Sequence, residues 1–156
     1  MKLVHERLYV GAEVDCRNAE EGWAIIHACK SPCHQTAVGY RGSLDKSHAN
    51  YLILEKNRDL YMNIIDPPVP LFKLESFTHF LEFASRHWSD GMNILIHCNR
   101  GESRAPSLAV LLLSKRLGVL NAQSYDVARS QFVETYPGYS PGLGISAFLQ
   151  GHWGEL

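Results

Sequence analysis

Residues 93–117 constrain the fold more than any other stretch. A short apolar strand ending Ile94-Leu95-Ile96-His97 leads through a polar stretch containing Gly101 into a helical segment over about 105–117, stopped by Gly118. Strand, tight loop and helix in immediate succession fit an α/β layer fold rather than an all-helical or all-strand one. The rest of the chain agrees. Glu6 to Gly11 reads as an opening strand and Ala24 to Cys29 as a buried one, while Tyr51 to Leu54 and Leu60 to Ile64 read as two strands joined by the polar loop Glu55-Lys56-Asn57-Arg58-Asp59. Beyond Pro70, Leu74, Phe77, Leu81 and Trp88 recur on one side of a helix that stops at Ser89-Asp90-Gly91, and further helices are expected over about 121–136 and 143–150. Residues 31–50, rich in turn formers, read as an ordered surface loop.

No repeat, low-complexity tract or linker interrupts the 156 residues, so a single domain over 1–156 is expected. The 15 Lys and Arg nearly balance the 16 Asp and Glu, a formal net charge of -1, which leaves no global field to attract nucleic acid or an anionic membrane. Any anion site must be local. The longest apolar run, Leu108 to Leu113, is far short of the roughly 20 residues of a membrane span. The opening MKLVHERLYVG is charged where a signal peptide is apolar, so a cytoplasmic location is expected. Four cysteines (16, 29, 33 and 98) without such a signal suggest reactive or buried thiols, not a disulfide framework.

The chemistry concentrates at His97-Cys98-Asn99-Arg100-Gly101-Glu102-Ser103-Arg104-Ala105-Pro106. Cys98 stands at a strand end and Arg104 at a helix start. Successive N–H groups in such a turn form a nest for an anion, and the helix adds unpaired N–H groups and the positive end of its dipole. Gly101 permits the positive φ that such turns require, and Pro106 is tolerated in the first helical turn. A thiol at the rim of the nest is favoured as thiolate. Arg104 can hold two phosphate oxygens at once. The backbone of Asn99, Arg100, Gly101, Glu102 and Ser103, with Arg104, is the expected phosphate cradle, and Cys98 the expected nucleophile.

This segment resembles the active-site loop of the protein tyrosine phosphatase superfamily, HC-x5-R, and its Ser-Arg-x-Pro ending is most similar to dual-specificity phosphatases. Leu8-Tyr9-Val10-Gly11 resembles that family's Leu-Tyr-Leu-Gly opening, and Pro141-Gly142-Leu143-Gly144-Ile145 its Pro-Asn-x-Gly-Phe segment. The resemblance implies a central, mostly parallel sheet flanked by helices. It also implies a general acid on a loop about thirty residues before the cysteine. Asp66, 32 positions ahead of Cys98, ends the apolar run Met62-Asn63-Ile64-Ile65 and opens Pro67-Pro68-Val69-Pro70. Asp59 and Asp90 fit that place less well.

Two departures from the family pattern stand out. Ala105 occupies the position of a Ser or Thr that hydrogen-bonds the leaving sulfur, and Gly142 replaces an Asn that supports the loop. By the same resemblance, Lys30 and Arg41 lie near the pocket mouth, His97 is an accessory residue, and Cys29 matches a second cysteine that faces the nucleophile in the lipid-phosphatase branch. His27, Cys29, Cys33 and His34 together suggest a metal, but their spacing matches no common zinc pattern, so neither metal nor cofactor is expected. The expected activity is hydrolysis of phosphate monoesters on phosphoprotein substrates, phosphotyrosine foremost and phosphoserine or phosphothreonine as well. Phosphoinositide or RNA 5' phosphates and a phosphopeptide-binding module are the alternatives.

Overall fold

The computed structural model describes residues 1–156. Its strands are β1 (Lys2–His5), β2 (Leu8–Gly11), β3 (Trp23–His27), β4 (Ile53–Lys56), β5 (Asp59–Met62) and β6 (Asn93–His97). They form one sheet in the order β1-β2-β6-β3-β5-β4. β2, β6, β3 and β5 run parallel, and β1 and β4 close the two edges as antiparallel hairpin partners. β6 lies between β2 and β3, with His97 level with Gly11 on one side and His27 on the other. The C-terminal ends of three strands therefore meet where Cys98 begins its loop.

The helices are α1 (Gln35–Val38), α2 (Leu74–Ser89), α3 (Arg104–Lys115), α4 (Tyr125–Thr135) and α5 (Leu143–His152). Successive side chains of a strand point to opposite faces, and the two faces of this sheet differ in chemistry. Leu8, Val10, Ala24, Ile26, Ala28, Leu60, Met62, Ile94, Ile96 and Cys98 share one core with Phe77, Phe80, Leu81 and Ala84 of α2, the buried leucines of α3, and Phe132, Ile145 and Phe148 beyond them. The other face carries Asp59, Tyr61, His27 and His97. There the segment around residues 16–19 and a wide turn over Lys30–His34 provide cover, through Ala19 N–H to Asp59 and through Cys16 against His27 and Cys33.

Several boundaries differ from the sequence reading for local reasons. The opening strand is split, because Glu6 turns the chain with φ 40° and adds β1 as an edge. The polar loop at 55–59 shrinks to a tight hairpin turn with Asn57 at φ 56°, so its flanks join the strands. β5 stops at Met62, since the Ile64 carbonyl turns away to accept from Lys30 N and Arg104. α4 starts at Tyr125 rather than near 121, where Ser124 Oγ caps the N–H of Val127. Residues 31–50 are not all loop, for they contain all but the first residue of the Lys30–His34 turn and the whole of α1.

Candidate active site

The loop from Cys98 to Ser103 connects the end of β6 to the first turn of α3, and its shape follows from what holds it. Gly101 takes φ +71°, and a methyl group there would lie 3.0 Å from the Gly11 carbonyl oxygen. Only glycine fits both conditions. The turn directs the Gly101 N–H at Cys98 Sγ over 3.3 Å. Cys98 is 2% exposed and unpaired. Its own N–H goes to the Gly11 carbonyl, and the Asn99 carbonyl accepts from Glu13 N–H. From the other side Tyr136 donates its hydroxyl to the Gly101 carbonyl, Ser140 N–H bonds the Glu102 carbonyl, and Gly142 N–H bonds Ser103 Oγ over 2.8 Å. The side chains of Arg100 and Glu102 pair with each other in solvent, a contact of small energetic weight.

Arg104 is fixed before any ligand arrives. One terminal nitrogen donates to the carbonyls of Ala28 (3.2 Å) and Ile64 (3.1 Å), and the other to Asn99 Oδ1 (2.7 Å), whose amide in turn donates to Ser31. Its Nε is buried with no protein partner. A buried donor left unpaired is costly, and one beside a turn lined with N–H groups suits an anion.

Asp66 is exposed on the loop after β5 and lines a cavity shared with Lys30, Asn99 and Arg104. Its carboxylate rests against Gly142, where a methyl group would overlap Oδ1. Gly144 N–H bonds the Pro67 carbonyl in the same seam. Gly142 takes part in the loop support that replacing an Asn had put in doubt. Its backbone N–H holds Ser103, and its bare Cα gives Asp66 room.

Other expected residues fall differently. Lys30 reaches the cavity, whereas Arg41 lines a neighbouring one with Pro32, Thr36 and Tyr40. His97 is fully buried and turned from the loop, its Nε2 2.8 Å from His27 Nδ1. Burial, with the neighbouring His27 second, pushes its pKa down to about 4, so it is a neutral imidazole. His34 spends both nitrogens on Tyr40 and the Asn50 carbonyl. Cys29 is buried with a free thiol, and its carbonyl accepts from His34 N–H. Asp59, 7% exposed, is bonded to His27 and Ala19 N–H on the opposite face of the sheet. Ala105 is buried and offers the sulfur nothing. Glu13, Tyr136 and Ser140 went unread in the sequence, because each reaches the loop from a segment brought near only by the fold.

A mostly parallel sheet whose central strand ends in this loop, with α3 rising from it, is the fold of the dual-specificity branch of protein tyrosine phosphatases. In particular, the chain is similar to the human tyrosine phosphatase-like serine/threonine/tyrosine-interacting protein, at 18% identity over 98% of this chain and 95% of that one, with a TM-score of 0.67. DUSP15 follows at 19% identity, 98% and 86% coverage and a TM-score of 0.66. PTPMT1, in a complex with PI(5)P, is similar at 16% identity, 85% and 76% coverage and a TM-score of 0.58. Likeness at such identities is a likeness of fold. No protein-family model matches the sequence and no curated protein is significantly similar to it. No helix is long and apolar enough to cross a membrane.

Proposed function

We propose that the chain is a cysteine-dependent phosphatase that hydrolyses phosphate monoesters on proteins, phosphotyrosine foremost and phosphoserine or phosphothreonine as well. The observation that carries this reading is the pairing of a backbone N–H aimed at Cys98 Sγ with an adjacent Arg104 whose Nε is buried and unpartnered. In the first step Cys98 thiolate attacks phosphorus in line, forming the S–P bond as the P–O bond to the substrate breaks. Asp66 gives its proton to the departing oxygen. The loop N–H groups and Arg104 hold the phosphoryl oxygens in both the ground and transition states, closer in the latter. In the second step Asp66, now ionised, takes a proton from water as the water oxygen attacks phosphorus, and the thiolate leaves with inorganic phosphate as product.

The test is a pair of substitutions. Cys98→Ser should abolish turnover yet retain vanadate binding, because the cradle is backbone plus Arg104. Asp66→Asn should lower kcat on alkyl phosphates by about 10²–10⁴-fold, the usual scale of general acid catalysis, and act much less on aryl phosphates with good leaving groups. Turnover persisting in the Cys98 variant would overturn the mechanism. Equal losses on both substrate types would assign the acid elsewhere.

A further inference from the structure

Behind the loop, on the face of the sheet opposite the core shared with α2 and α3, four side chains from four separate segments converge. Cys16 follows the short turn after β2, His27 ends β3, Cys33 belongs to the Lys30–His34 turn, and His97 ends β6. Their ligand atoms all lie within 4.8 Å of one another. Cys16 Sγ is 3.8 Å from Cys33 Sγ and 3.6 Å from His27 Nδ1, and His97 Nε2 is 2.8 Å from His27 Nδ1. With Zn–S of about 2.3 Å and Zn–N of about 2.05 Å, a tetrahedral ion holds two sulfurs about 3.8 Å apart, sulfur and nitrogen about 3.6 Å, and two nitrogens about 3.3 Å. The Cys16–Cys33 and Cys16–His27 separations match. The histidine pair has to open by about half an ångström on the same geometry, and the remaining pairs, which lie within 4.8 Å, have to draw in to it.

We propose that Cys16, His27, Cys33 and His97 form a tetrahedral zinc site. The outer contact of His27 fits as well. A metal-bound histidine commonly hands its other N–H to a carboxylate, and here His27 Nε2 lies 2.8 Å from Asp59 Oδ1, held in turn by Ala19 N–H. Because Asp59 only accepts, His27 donates from Nε2 and presents the lone pair of Nδ1. In the metal-free protein His97 Nε2–H donates to that lone pair. On binding, the His97 proton moves to Nδ1, a buried atom with no other hydrogen bond, and Nε2 turns its lone pair to the ion. Cys16 and Cys33 each release a thiol proton to solvent. Four protein ligands leave no open position, so the ion is structural rather than catalytic. Two thiolates with two imidazoles select zinc among common divalent ions. His97 immediately precedes Cys98, so the ion would tie the base of the phosphate loop to β3 and to the segment after β2. Sequence spacing does not display such a set, because each ligand comes from a different element.

The experiment uses the full chain, stripped of metal under reducing conditions and titrated with Co²⁺ as a spectroscopic probe and with Zn²⁺ in competition against a chromophoric chelator. The expected result is one equivalent bound, the visible bands of tetrahedral cobalt with a thiolate charge-transfer band, and release of two protons. Cys16→Ser and Cys33→Ser should lose stoichiometric binding. Cys29→Ser and Cys98→Ser should keep it. Asp59→Asn should weaken zinc by about 10- to 100-fold, the usual effect of removing such an outer partner. Cys16 sits on an exposed segment, so its variant reports binding without disturbing the core. Should it fail to fold, the proton count and charge-transfer intensity of the unmodified chain decide between two thiolates and fewer. An unmodified chain that takes up no metal overturns the proposal. So does binding that survives in both Cys16→Ser and Cys33→Ser, or that vanishes in Cys98→Ser or Cys29→Ser.

Discussion

At position 142 a single methyl group separates two outcomes for the candidate acid. Gly142→Ala would place a carbon where Asp66 Oδ1 now rests, moving the carboxylate without changing any charge. A shift of about 1 Å in a reacting group can cost about 10²-fold in rate. We expect Gly142→Ala to lower kcat/KM on alkyl phosphates by about that factor and on activated aryl phosphates far less, read from parallel assays of the two. Equal effects would mean that the substitution disturbs the loop through Ser103 instead. The contrast between these residues explains what the sequence revealed. Cys98 and Arg104 stood out because a strand end and a helix start six residues apart bring the two to one turn, and Asp66 because the resemblance places an acid about thirty residues ahead of the cysteine. What Gly142 contributes, a backbone N–H and the absence of a side chain, is invisible to a residue-type comparison.

At the scale of elements, α2 shows why regular segments are read easily. Phe77, Phe80, Leu81 and Ala84 recur at helical spacing and all bury against the sheet. His87, on the same helix, was not singled out, yet it is buried with both ring nitrogens unpartnered, its ring 4.4 Å from that of Phe83. Burial chiefly, with Arg86 and Arg58 adding and Asp90 and Glu55 opposing, lowers its pKa from 6.5. The unfolded chain therefore binds this proton more readily than the folded one below pH 6.5, and stability falls as pH drops through that window. His87→Leu removes two buried unsatisfied atoms and this acid dependence together. We expect a gain of about 1–3 kcal/mol, larger at pH 5 than at pH 7.5, measured from urea midpoints at both. A gain independent of pH would mean that His87 does not titrate in this range. Strand ends were harder to read than this helix because tertiary contacts set them, as when Ile64 leaves β5 to serve Arg104.

For the molecule as a whole, the loop bearing Cys98 is the meeting point of distant parts of the chain, with Gly11, Glu13, Ala28, Ile64, Tyr136, Ser140 and Gly142 all bonded to it or to Arg104. Long-range seams of this kind add little individually. Tyr136→Phe deletes only the 2.8 Å bond to the Gly101 carbonyl, and we expect a stability loss of about 0.5–1.5 kcal/mol together with weaker vanadate binding. Unchanged vanadate affinity would show that the seam serves stability alone. The sheet order and these seams were beyond sequence reading, whereas the α/β class followed from the succession of strand, loop and helix at residues 93–117. The seams also bear on synthesis. As the polypeptide leaves the ribosome, Cys98 precedes Tyr136, Ser140 and Gly142, so the loop cannot make its bonds to those three until the chain is almost complete.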